Sequence, residues 1–204
     1  RDVLGSRGLG DVYKRQVNAC RELIHAYEVE IPEKGLLAGF HEPVFNKDTY
    51  RMLFDADNMH YPLGDAFLEY GIPGILRMTE KKQPSDTEET AAYRHGIYLV
   101  YKEVHCFIQK HAAKAGQLAE NENDKENRDR FLRIADICRK LTQSRPETFM
   151  EALQLFWFLY LLRGGFGGGC IGKLDQKLYP FYAGEVENPV SYTHLRAHET
   201  LRHL

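Results

Sequence analysis

The chain has 204 residues, 43% of them hydrophobic and 27% charged, which is enough for one ordinary globular core and excludes a wholly disordered polypeptide. A formal net charge of -2 gives no support for a nucleic-acid or anionic-membrane partner, either of which calls for a basic face. No apolar run reaches the length of a membrane span and no signal-peptide pattern opens the chain, so a cytoplasmic protein without membrane contact is expected.

The first stretch, RDVLGSRGLGDVYKRQ, shows no sustained helical or strand period. Together with the histidine-rich last stretch, VSYTHLRAHETLRHL, it resembles translated adaptor sequence, so residues 1–16 and 190–204 are set apart from the informative part, 17–189. His194, His198 and His203 are accordingly not taken as metal ligands.

Within 17–27, Ala19, Leu23, Ile24 and Tyr27 recur at helical spacing. Pro32, Gly35, Gly39 and Pro43 then break the pattern, leaving room for one or two short strands over 31–45. A helix from Asp65 to Tyr70 closes at Gly71, and Pro73 suits the first turn of the next. Ser85 or Asp86, with Glu88 and Glu89 behind it, predicts the capped, acidic start of a helix of some thirty residues. Its face is marked by Tyr93, Ile97, Val100, Tyr101, Val104, Phe107 and Ile108, and the alanines continue it to about Ala119. After the charged break NENDKEN, the residues Phe131, Ile134, Ala135, Cys138 and Leu141 predict another helix, which stops before Pro146.

The stretch PETFMEALQLFWFLYLL starts with Pro and Glu and is apolar nearly all the way round, so it predicts a helix covered on every side. It is too short to span a bilayer. Trp157 and Tyr160 on it are read as core packing rather than as a ligand-stacking pair. The four cysteines, Cys20, Cys106, Cys138 and Cys170, stand far apart without a C-x-x-C pair, which disfavours a disulfide framework or structural metal. Cys106 and Cys138 fall at apolar helical positions, where a buried inert thiol is expected.

The run RGGFGGGCIGKLDQ satisfies two nucleotide-binding spacings, G-x-G-x-x-G at Gly167, Gly169 and Gly172, and G-x-x-x-x-G-K at Gly167, Gly172 and Lys173. A phosphate loop needs a strand before it and a Ser or Thr after the lysine; here a predicted helix leads in and Leu174 follows. Gly167, Gly169 and Gly172 are therefore read as loop-structural residues that let the backbone turn sharply.

Three blocks then stand in order: P-x-T-F-x-E-A-L-Q from Pro146 to Gln154, C-x-G-K-x-D-Q from Cys170 to Gln176, and Y-P-x-Y from Tyr179 to Tyr182. This order resembles the glycyl radical enzyme superfamily of pyruvate formate-lyase and the diol dehydratases, with LEYGIPGI as a looser upstream match. The resemblance implies a mainly α fragment with few short strands at 31–45 and 166–182, forming part of a ten-stranded α/β barrel. It implies a parent lyase or dehydratase that acts on a small organic substrate by thiyl hydrogen abstraction. The radical would rest on a glycine, installed by an S-adenosylmethionine and iron–sulfur activase under anaerobic conditions, in a homodimer. Neither the G-C-x-E motif of the thiyl cysteine nor the R-V-x-G-Y-like glycine segment occurs in the chain. No catalytic radical residue is therefore expected here, no metal ligand, and no activity of the chain alone.

Two residues are candidates for the substrate pocket by the same resemblance. Cys170 stands where dehydratases carry the serine of S-x-G-R; a small buried packer is the other reading. His60, in DNMHYPLGDAFLEYG, resembles the histidine that assists departure of a hydroxyl, or else is a hydrogen-bonded structural residue. Lys173 replaces the family's arginine and loses its two-pronged hydrogen bonding, and is also read as a structural partner of Asp175, while Asp175 and Gln176 are expected to hold the loop from behind. The rival functional class is a non-catalytic helical interaction or scaffold domain. The glycine run generates the first prediction: equilibrium dialysis should find no magnesium-dependent ATP binding, in the chain or in Lys173→Ala. Binding that disappears on this substitution would restore the phosphate-loop reading.

Overall fold

The structure, a computed structural model, describes residues 9–39, 65–162 and 173–187. Among the described residues the chain forms helices α1 (Leu9–Ala26), α2 (Ala66–Thr79), α3 (Glu88–Asn121), α4 (Lys125–Leu141), α5 (Phe149–Leu162) and α6 (Leu174–Glu187), with no strand. The mainly helical expectation holds. The short strands expected at 31–45 and 166–182 do not appear where those ranges are described.

Their absence has local reasons. In α6, Leu174, Leu178 and Phe181 repeat at four and three, and all three pack on the core, so the stretch after the glycines follows helical period through Pro180. Residues 31–39 stay irregular because side chains, not a neighbouring strand, satisfy their backbone. Arg130 donates to the carbonyls of Pro32 (3.0 Å), Glu33 (2.9 Å) and Gly35 (3.0 Å).

Helix α1 starts at Leu9, inside the stretch that seemed to lack periodicity. The missed signal is a stripe of Tyr13, Val17, Cys20 and Ile24 at four, three and four, with the Tyr13 ring 5.5 Å from that of Tyr93 on α3. Helix α2 bends where the sequence placed the break. Gly71 takes φ 66°, ψ 171°, and a Cβ there would lie 2.6 Å from the Arg145 Cα, so this glycine permits both the kink and the contact with the turn before α5.

The cap of α3 is Thr87, whose side chain accepts from the Thr90 N–H at 3.2 Å, rather than Ser85 or Asp86. Asp86 is used differently. Its carboxylate takes two bonds from Arg94 (2.7 and 2.9 Å) and one from the Gln83 N–H, and these hold its pKa down at about 2. Asp124 caps α4 by accepting from the Asn127 N–H at 2.9 Å, and the short link sends α4 back along α3, the helix with which it packs most extensively.

The core runs between α3, α4 and α5. Cys138 is fully buried and desolvation pushes its thiol up to about 12, whereas Cys106, expected to be buried, is only half-buried. On α3, Phe107 and His111 lie 4.3 Å apart between ring centroids, and His111 lies 4.9 Å from Phe158 of α5. The His111 ring is fully buried, bonds the Phe107 carbonyl through Nδ1 at 2.9 Å, and leaves Nε2 without a partner. Burial lowers its pKa from 6.5 to about 4, the Phe107 hydrogen bond opposing the shift.

Because the folded imidazole resists a proton that the unfolded chain accepts, this contribution to stability is intact above pH 6.5. It falls as the pH drops towards 4. The expected loss is about 3 kcal/mol, read as a falling urea midpoint between those pH values, with His111→Phe flattening the dependence. An unchanged slope in that variant would assign the acid sensitivity elsewhere.

Candidate functional site

Helix α5 shows why the P-x-T-F-x-E-A-L-Q block has its residues. Thr148 accepts from the Glu151 N–H at 3.2 Å, and the Glu151 carboxylate accepts from the N–H groups of Glu147 (2.8 Å) and Thr148 (3.3 Å), a reciprocal capping box. Glu185 of α6 accepts from the Phe149 N–H at 2.8 Å, so a second carboxylate meets the positive end of the same helix. One turn further on, the fully buried Gln154 accepts from the Ala38 N–H at 2.7 Å and donates to the Ala38 carbonyl at 3.1 Å. Trp157 donates to the Gly39 carbonyl at 2.7 Å. The block therefore starts a helix and then pins a backbone segment across it. Trp157 packs with Tyr160, ring centroids 6.1 Å apart, as core reading expected, but its polar edge does a second job that periodicity did not reveal.

His60, Cys170, Gly167, Gly169 and Gly172 lie outside the described residues. Lys173, Asp175 and Gln176 open α6 and are exposed. Among the described residues Lys173 and Asp175 form no ion pair, and Gln176 and Asp175 show no side-chain hydrogen bond; Asp175 instead supplies the acidic first turn of α6. What the structure does bring together is the beginning of α2 and the beginning of α6, through an ion pair between Asp65 and Lys177.

Around that pair lies an open cleft of about 1010 Å³. Leu68, Pro146, Pro180 and Phe181 give it an apolar floor, and Asp65, Glu69, Arg145, Glu147, Lys173, Gln176 and Lys177 line it with charge and amide groups. Three elements meet there: the first turns of α2, the turn before α5, and the first turns of α6. Arg145 was not singled out by the sequence reading. Only the contact of its backbone with Gly71, which joins residues far apart in the chain, places it at the cleft.

A family model described as pyruvate formate lyase-like matches residues 50–204. The chain belongs to this family, within the glycyl radical enzyme superfamily. It is 33% identical over 144 residues to the probable dehydratase YbiW of Escherichia coli K12, a match covering 61% of this chain and 17% of that protein. It is 35% identical over 86 residues to the trans-4-hydroxy-L-proline dehydratase of Clostridioides difficile, covering 40% and 11%. The solved hydroxyproline dehydratase from Clostridioides difficile superposes with a TM-score of 0.69 at 17% identity, over 89% of this chain and 34% of that one. A glycyl radical enzyme from Archaeoglobus fulgidus gives 0.68 at 19%, over 92% and 34%. The chain thus spans less than a fifth of these two curated relatives' length and about a third of these solved chains.

No helix among the described residues is long and apolar enough to cross a membrane. The pinned segment generates a stability prediction. Gln154→Leu leaves both polar groups of Ala38 buried and unpaired and should cost about 3 kcal/mol in denaturant unfolding, against about 1 kcal/mol for Trp157→Phe. Equal small losses would show that residues 38–39 are not held through α5.

Proposed function

We propose that the chain is the substrate-side part of a glycyl radical dehydratase or lyase acting on a small organic molecule, and that it supplies no radical residue itself. The observation that carries the reading is the Asp65–Lys177 ion pair. His60 precedes Asp65 by five residues and Cys170 precedes Lys177 by seven, so covalent reach alone limits their separations from those two anchors to about 18 Å and 25 Å. The ion pair thus joins two residues that each follow a candidate pocket residue in sequence, although those candidates stand 110 positions apart.

In this reading His60 is a general acid that gives a proton to a departing hydroxyl oxygen, which suits an imidazole working near neutral pH. Cys170 is a pocket wall, a weaker hydrogen-bond donor than the serine of the resembling enzymes, and so fits a substrate of different polarity at that point. The glycyl radical, when installed by the activase in the rest of the parent, supplies hydrogen abstraction through a cysteine thiyl. This chain's residues bind and orient the substrate. The dehydratase names among the relatives favour loss of water over the formate-lyase type. The parent is taken as a cytoplasmic, anaerobic homodimer.

The test uses the full-length parent, reduced activase and S-adenosylmethionine without oxygen. Electron paramagnetic resonance should show a glycine-centred radical in the parent and none in the 204-residue chain treated alike. His60→Gln in the parent should keep the radical and lower kcat by about a hundredfold or more. A radical on the chain alone, or full turnover in His60→Gln, would overturn the assignment.

A further inference from the structure

The cleft between α2, the turn before α5 and α6 is also lined by two cations, Arg145 and Lys173, to which the catalytic reading gives no role. We propose that it is a binding site for a small organic carboxylate, held by Arg145 and Lys173 at the first turn of α6.

The argument starts from which charges are already spent. Lys177 is tied to Asp65 across the cleft. Among the described residues, Arg145 and Lys173 have neither a hydrogen bond nor an ion pair from their side chains, yet both line the cavity. Arg145 is held in place from behind, because its Cα and N pack against the Gly71 kink at distances that leave no room for a Cβ. Its planar guanidinium, carried on a backbone packed against Gly71, can meet a carboxylate with two parallel N–H bonds. Lys173 accepts the first backbone bond of α6, from the Lys177 N–H at 3.1 Å, so the N–H groups of the residues between them are the free first-turn donors of a 14-residue helix.

The same lining limits what fits. Glu69 and Glu147 also border the cleft. Two carboxylates against two available cations disfavour a phosphate or nucleotide, whose extra charge they would repel, and leave room for a singly charged ligand. The floor of Leu68, Pro146, Pro180 and Phe181 supplies an apolar surface for its carbon skeleton, the usual composition of a small-molecule site. Asp175, on the same turn, is exposed and is not among the described residues lining the cleft.

Binding needs neither the radical nor the rest of the parent, so its outcome is separate from that of the catalytic assignment. The test is ligand-observed NMR relaxation on the 204-residue chain with propionate, propylamine and inorganic phosphate as probes. Propionate should bind saturably and propylamine should not. Arg145→Ala and Lys173→Ala should each weaken propionate about tenfold, Arg145→Lys less, and the exposed Lys110→Ala not at all. Both cleft positions are exposed, and unchanged far-UV circular dichroism checks that the variants keep their helices. Unsaturable propionate binding, equal binding by wild type and the two alanine variants, or displacement by a lower concentration of phosphate would overturn the proposal.

Discussion

Helix α5 is apolar nearly all the way round, and a helix of that kind persists in water only if other elements enclose it. The rest of the structure is arranged around that requirement. Helices α2, α4 and α6 pack on it, the irregular segment 31–39 crosses it, and α3 brings Phe107 within 5.4 Å of Phe158. Enclosure in turn buries two polar side chains, Glu151 and Gln154, and each is tolerated because its polar atoms are met: backbone groups bond both ends of Gln154 and the Glu151 Oε2, and Lys140 pairs with the Glu151 Oε1. Tyr27 adds a hydroxyl bond to the Leu161 carbonyl near the other end of α5, tying α1 to the same helix.

The enclosing contacts also build the cleft. The bond from the Phe149 N–H at the start of α5 to Glu185 fixes α6 against it, and the Gly71 kink lets α2 close on the turn at residues 144–145. Once these approaches are made, the first turns of α2 and α6 face each other across a space walled by charged side chains that belong to separate parts of the sequence. The packing that hides the apolar helix thus decides which charges share a cavity. His111 shows the opposite case, a polar ring enclosed by aromatic neighbours with one nitrogen unmet, where burial disfavours the charged form.

Much of this was legible in the residue order. The 3.6-residue stripes of α3 and α4, the break at Gly71, the covered character of α5 and the family blocks around it all follow from spacing and local chemistry, because helix formation and capping depend on neighbours three and four residues away. Misreadings came where local cues were balanced. The start of α1 was hidden by glycines before Tyr13, and α6 was mistaken for strand because its proline interrupts a short apolar run.

What the tertiary structure alone decided is the set of meetings between distant residues. Gln154 with Ala38, Arg130 with the carbonyls of Pro32, Glu33 and Gly35, Asp65 with Lys177 and Arg145 with Gly71 join positions dozens of residues apart or more. No periodicity encodes such pairs, since a side chain's own spacing says which face it occupies and not what will be packed against that face. By itself the sequence determined the helical periods of α2 to α5 and the family, but not the cap of α3, the start of α1 or the helical state of α6. The fold determined which carbonyls are held by side chains instead of strands and which unpaired cations line the cleft, because both depend on how closely enclosed elements can approach.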